Sequence, residues 1–250
     1  MELSKQKTKV ITDPRRYTWL IYGEEGIGKS TLASQMDGTY FIATEPGHKA
    51  LEVYKSDVSS WAEFKDVARK LISEKHEFKT VAVDTVTNLV DFCAASIYEE
   101  HNISHMSDLD WGKGFSLVRD EFKRVMIPLC NAQLGIVFIA HDMLREMEFR
   151  GFKRDVWQPN MIKTARTVIN QLVDFIGRMY VDTIKEGDAM HRYRFITFAK
   201  HPDMVTKDRL GLLEKQGDIR LPKREAMWAT LMAYFEKEKD KQNRKEITSG

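Results

Sequence analysis

The stretch YGEEGIGKSTLA, residues 22–33, decides the fold. Gly23, Gly28, Lys29 and Ser30 match the pattern G-x-x-x-x-G-K-[ST] without a gap. Before it, RRYTWLIYG reads as a short apolar strand over residues 17–22, and after it KSTLASQM opens a helix. Strand, glycine loop and helix form the context in which this pattern cradles phosphate. The glycines let backbone N–H groups curl around the anion, and the helix start adds partial positive charge. The expected cradle comprises Gly23, Glu24, Glu25, Gly26, Ile27, Gly28, Lys29, Ser30 and Thr31. Lys29 should reach the β/γ oxygens of a nucleoside triphosphate and the Ser30 hydroxyl should ligate Mg²⁺.

Outward from the cradle the pattern repeats. TYFIATE predicts a second strand over residues 39–44, and SWAEFKDVARKLISEK a helix with Trp61, Phe64, Val67, Ala68, Leu71 and Ile72 at helical spacing. KTVAVDT is a third strand, NLVDFCAASIYEEH a helix, and FSLVRDEFKRVMIPLC a helix expected to end near Pro128. LGIVFIAHD is a fourth, almost wholly apolar strand. Strands apolar on both faces that alternate with helices specify a mostly parallel α/β sheet covered on both sides. GRMYVDTIKEGDAMHRYRFITFAKH then predicts two strands around KEGD, an antiparallel edge addition, and KREAMWATLMAYFEKEKD a last helix. The expected division is an arm over residues 1–16, one ATPase domain over 17–236, and a charged, fraying tail over 237–250.

Composition sets limits. In 250 residues, 42% hydrophobic and 30% charged residues are an ordinary globular balance, and a net charge of +2 gives no argument for nucleic acid outside local patches. No apolar run approaches the roughly 18 residues of a membrane span, and MELSKQKTKVITDPRR lacks a signal-like apolar centre, so a cytoplasmic setting without a membrane is expected. Cys93 and Cys130 sit in apolar segments without CxxC pairing and read as two buried thiols. His101 and His105, four apart, lack a third ligand for a metal.

Asp84 closes an apolar strand where a carboxylate can orient Mg²⁺. No Asn-Lys-x-Asp guanine reader and no LSGGQ signature occurs, and no arginine-rich lid is evident. Glu45 stands directly after the second strand, on the cradle's edge of the sheet, where it could polarise the attacking water.

In this order the chain resembles the RecA family of P-loop ATPases, whose catalytic glutamate ends the strand after the P-loop helix. FKTVAVDTVTNL is similar to that family's second acidic strand. LGIVFIAHDM is similar to the strand whose terminal polar residue senses the γ-phosphate, and MVTKDRLG to the segment whose basic residues reach a neighbour's ATP. DWGKGFSLVRDEF, FIAHD and TKDRLG resemble most the small bacteriophage proteins that anneal single DNA strands. The resemblance runs over residues 17–221. It implies ATP and Mg²⁺ as cofactors, His141 as sensor, and Lys207 and Arg209 as cations acting across a subunit interface in a homo-oligomer, ring or filament. His141 departs from the glutamine of RecA, and the segment before Tyr17 is too short for RecA's polymerisation helix. The resemblance also implies single-stranded DNA as partner, with a single-strand DNA-binding protein as a further one, in the cytoplasm of a bacterial host.

The segment REMEFRGFKRDVWQPNMIKTAR, residues 145–166, follows the sensor strand and interleaves cations with rings. Arg145, Arg150, Lys153, Arg154 and Trp157 are its candidate DNA contacts. The same rings could instead anchor a hairpin. WGKG at 111–114 is either a second DNA-facing loop or a packing tryptophan. Two other functions fit the same core: a replication or packaging motor, and a nucleotide-dependent switch that binds a protein.

Overall fold

The computed structural model describes residue 11, residues 13–149 and residues 151–248. Most of the expected N-terminal arm, and Arg150, lie outside the described residues. In chain order the elements are β1 (Thr18–Gly23), α1 (Lys29–Ser34), β2 (Thr39–Ala43), β3 (Tyr54–Asp57), α2 (Trp61–Ser73), β4 (Thr80–Asp84) and α3 (Val86–His101). Then come α4 (Lys113–Asn131), β5 (Gly135–Phe149), β6 (Phe152–Pro159), α5 (Lys163–Leu172), β7 (Phe175–Glu186), β8 (Ala189–Thr197), β9 (Lys207–Asp208), β10 (Asp218–Leu221) and α6 (Met227–Thr248).

The described strands join one sheet in the order β10-β8-β7-β1-β5-β4-β2-β3. From β7 to β3 every neighbouring pair is parallel, whereas β8 and β10 are antiparallel additions beyond β7. This is the mostly parallel P-loop sheet expected from the alternating pattern, with its antiparallel edge. β5 lies between the glycine-loop strand β1 and the Asp84 strand β4.

Alternation along each strand divides the core in two. Leu20, Tyr22, Val81, Val83, Ile136 and Phe138 face the layer of α2–α5, while Trp19, Ile21, Ala82, Val137 and Ile139 face α1 and α6. Ser60 caps α2 by accepting from the Glu63 N–H, so the amphipathic stripe begins where its buried Trp61 can reach the sheet.

Four expectations are corrected. β3, YKSD, is an extra parallel strand at the edge beyond β2, unrecognised because its polar side chains mostly face water. α4 runs through Pro128 to Asn131. Pro128 and Arg124 are both exposed, so the carbonyl that loses its partner in this last turn can turn to solvent. The fourth strand does not end at Asp142 but continues to Phe149 and returns as β6, so the basic-aromatic segment that follows His141 begins as a hairpin. α6 continues to Thr248, beyond residue 240 where the last helix was expected to end.

Cys93 is buried and Cys130 half-buried; burial pushes each thiol up to about 12. At neutral pH a thiol-reactive probe is expected to leave both unlabelled in the folded protein and to label both in denaturant. Prompt labelling of the native chain is the opposite result.

Candidate nucleotide site and the hairpin beside it

The parallel strands deliver their C-terminal ends to one edge. Gly23 of β1 is in register with His141 of β5 and with Met179 of β7, and Ala43 of β2 with Asp84 of β4. A Cβ on Gly23 would lie 2.2 Å from the Met179 carbonyl oxygen, so only glycine lets the chain leave the sheet here. Gly28, at the head of α1, has φ +103°, a left-handed conformation that favours glycine. Lys29 Nζ, buried, donates to the carbonyls of Gly23 at 2.8 Å and Glu24 at 2.7 Å. Burial lowers its pKa, against the opposing pull of Asp84, Asp142, Glu45 and Glu25. The cleft above has a volume of about 550 Å³ and includes Glu25, Gly26, Gly28, Ser30 and Thr31 in its walls. The Ile27 side chain is instead buried in the core.

Ser30 Oγ donates to Asp84 Oδ2 at 2.6 Å, and His48 Nε2 lies 2.9 Å from the same oxygen. His48 and Asp84 are both buried. Thr44 fixes this corner: its N–H donates to the Asp84 carbonyl at 2.8 Å and its hydroxyl to the Thr85 carbonyl at 2.9 Å. The converging hydroxyl and carboxylate oxygens suit a hard divalent cation such as Mg²⁺. His48, two residues beyond the Pro46 turn after Glu45, was not singled out from the sequence.

Glu45 projects into the same cleft. Its Oε2 accepts from Asn88 Nδ2 at 3.1 Å and lies 3.4 Å from His141 Nε2. The acid and the residue read as a sensor are therefore neighbours. Asn88 is a further unread member, four residues past Asp84 on the first turn of α3.

Lys207 and Arg209 lie elsewhere. Lys207 Nζ donates to the carbonyls of Asn170 at 2.7 Å and Val173 at 2.6 Å; Arg209 donates to Asp174 Oδ1 at 2.7 Å. β9 pairs with the first residues of β7, the sheet edge opposite Gly23. Within the chain these cations close the end of α5, and Lys207 lies on the short strand β9. Besides Lys29, the Lys and Arg side chains that line the phosphate cleft are Arg194, Lys223 and Arg224, brought from the antiparallel edge.

Beyond His141, β5 and β6 form a two-faced hairpin. Pairing of Arg145 with Val156, Met147 with Arg154, and Phe149 with Phe152 puts these side chains on one face. Glu146, Glu148, Lys153, Asp155 and Trp157 occupy the other. The first face carries Arg145 and Arg154 and no acid of the hairpin; the Arg154 guanidinium lies 5.4 Å from the Phe152 ring centre, with Asp203 3.4 Å away at its flank. Lys153 belongs to the acidic face, paired with Glu146 at 2.7 Å. Trp157 is half-buried at the base of the hairpin: its ring lies under the Arg178 guanidinium at 4.1 Å. Arg178 in turn donates to Asp142 at 3.0 Å, both side chains under 8% exposed. Trp111 stands fully exposed, with φ +57°, which answers the choice left between a packing and an outward ring.

Among the described residues no helix is long and apolar enough to cross a membrane. No curated protein matches the chain. A family model described as AAA domain matches residues 15–210, from the turn before β1 to just past β9. That span holds the glycine loop, Glu45, Asp84 and β5 with His141, and by it the chain belongs to the AAA domain family of P-loop ATPases.

Proposed function

We propose that the protein hydrolyses ATP slowly, binds single-stranded DNA through the Arg145–Arg154 face of its hairpin, and promotes strand annealing or homologous recombination. The observation that carries the DNA reading is that face: Arg145 and Arg154 share it with Phe149 and Phe152, free of hairpin acids, and Arg154 lies 5.9 Å and 5.4 Å from the two ring centres. The strand that carries Arg145 passes the phosphate cleft at His141. Cations that track a backbone, with rings for bases to stack on, suit a single strand. The exposed Trp111 adds a ring for the same use.

Lys29 and the loop N–H groups hold the phosphates, and Arg194 and Arg224 supply cations from the same chain. Ser30 and Asp84 hold Mg²⁺, which when bound offsets the charge on the phosphate oxygens. Glu45, oriented by Asn88, takes the proton of the attacking water, and His141 lies beside both acid and cleft. The next residue, Asp142, pins Arg178 over Trp157, so a shift at His141 is passed to the base of the hairpin. ATP can favour the DNA-competent state only through such a difference in contacts. The reading extends to a homo-oligomer with ATP at subunit interfaces, a single-strand DNA-binding protein as partner, and a phage gene expressed in bacterial cytoplasm.

The test is fluorescence anisotropy of a labelled single strand across a salt series. Arg145→Ala with Arg154→Ala is expected to lower the log–log salt slope by about 1.4, roughly 0.7 for each lost phosphate contact. Lys153→Ala, on the acidic face, is expected to leave it unchanged. Equal slopes in all three proteins would sink the hairpin assignment, and an undiminished rate of complementary-strand annealing in the Arg145/Arg154 variant would sink the annealing role.

A further inference from the structure

We propose a second phosphate-chain site: a basic groove that opens from the nucleotide cleft along β8 and β10 and takes the sugar–phosphate backbone of single-stranded nucleic acid. The groove encloses about 710 Å³, and Arg192, Arg194, Arg220, Lys223 and Arg224 line it without a carboxylate. It shares Arg194, Lys223 and Arg224 with the cleft above the glycine loop, so the two are continuous.

The cations lack compensation. Of the five, only Arg220 has an acidic partner among the described residues, Glu186 at 3.5 Å. Arg194 is half-buried and donates to the carbonyl of Pro222 at 3.3 Å, to that of Lys223, and to the Met227 sulfur at 3.8 Å, all uncharged. Its Nε is buried without a partner. Burial, and then the charge of Arg224, lower its pKa, the direction expected where like charges crowd without an anion.

The groove is built rather than loose. Leu221 of β10 pairs with Arg194 of β8. Gln35, just past α1, donates to the Arg224 carbonyl and accepts from the Trp228 N–H at 3.0 Å, which straps the corner of residues 223–224 to the helix that follows the glycine loop.

The chemistry selects phosphate over a base. The Arg220 guanidinium lies 3.3 Å from the centre of the Tyr193 ring, so that stacking face is already covered. A base slot is mostly apolar with few polar groups, whereas four arginines and a lysine offer forked donors matched to phosphate oxygens. Arg192 and Arg194, two residues apart on one face of β8, stand about 7 Å apart along the strand, a spacing suited to successive phosphates of an extended chain. Arg220, paired with Phe195, reaches the groove from the other side of the sheet edge. The groove deepens the nucleic-acid reading and takes its partner class from it, but its residues are separate from the hairpin.

Arg192→Ala with Arg220→Ala removes two groove cations and touches neither the nucleotide cleft nor the hairpin. In the full chain this variant is expected to lower the salt slope for labelled oligothymidylate by about 1.4 while ATP affinity stays unchanged. Lysine at both positions should restore the slope, and combining the variant with Arg145→Ala and Arg154→Ala should add the two losses. An unchanged slope in the groove variant, with a lowered one in the hairpin variant, overturns the groove and leaves the hairpin standing; the reverse pattern does the opposite. Loss of inorganic polyphosphate affinity with no loss of oligothymidylate affinity also overturns it, since the groove would then serve free phosphate chains.

Discussion

Glu45→Gln is expected to slow ATP hydrolysis by about 10²–10⁴-fold, the usual contribution of a positioned base, and to leave nucleotide affinity within a few-fold. Glutamine keeps the length of the side chain and an oxygen for Asn88 Nδ2 to donate to, so the geometry around His141 is preserved while the basic oxygen is lost. Phosphate release at saturating ATP measures the first quantity, and titration with a fluorescent nucleotide the second. Asn88→Ala should fall between this variant and wild type, because it frees the carboxylate without removing it. Undiminished turnover in Glu45→Gln would place water activation on another group. A loss of affinity equal to the loss of rate would make Glu45 a binding residue instead.

Asp142→Ala is expected to cost about 3–5 kcal/mol of stability, since it strands a buried guanidinium. Arg178 would keep its place over Trp157 but lose the one carboxylate it pairs with among the described residues, in a site where its Nε already has no partner among them. Denaturation in urea, read as a change in midpoint at constant slope, gives the value. Replacing both residues with apolar ones of similar volume should cost less than Asp142→Ala alone, because no charge is left unpaired. Glu146→Ala, a few residues further along the same strand but exposed, is the control and should stay within about 0.5 kcal/mol. A midpoint in Asp142→Ala no lower than in that control would show that the pair bears no stability.

The frame of the molecule was legible because it rests on local pattern. The apolar runs at Thr18–Gly23, Thr80–Asp84 and the first half of β5 are buried on both faces, and such runs announce parallel strands. Lys29, Ser30, Asp84, Glu45 and His141 were legible for the same reason: each sits at a strand end or in the glycine loop, and the shared sheet edge brings them together. What escaped depends on the tertiary fold. His48 and Asn88 matter only because the β2 and β4 ends are laced side by side. Arg194 and Arg224 join the cleft from more than 160 residues downstream, once the antiparallel edge folds back over the glycine loop. The hairpin was read as one basic-aromatic segment because composition does not reveal register. Pairing of Met147 with Arg154 and of Glu148 with Lys153 sorts its charges onto opposite sides, and a slip of one residue would have mixed them.

That sorting gives the hairpin a property that no single side chain has. A blade with guanidiniums on one side and carboxylates on the other is an electric dipole directed across its own thickness. In the field of a polyanion it feels a torque as well as a pull, and the torque acts over the range of the Debye length, about 8–10 Å at ordinary salt. Orientation is then set before any contact forms, and the acidic side turns the wrong approach away. High salt shortens that range and should slow productive encounter more steeply than it weakens the complex once formed.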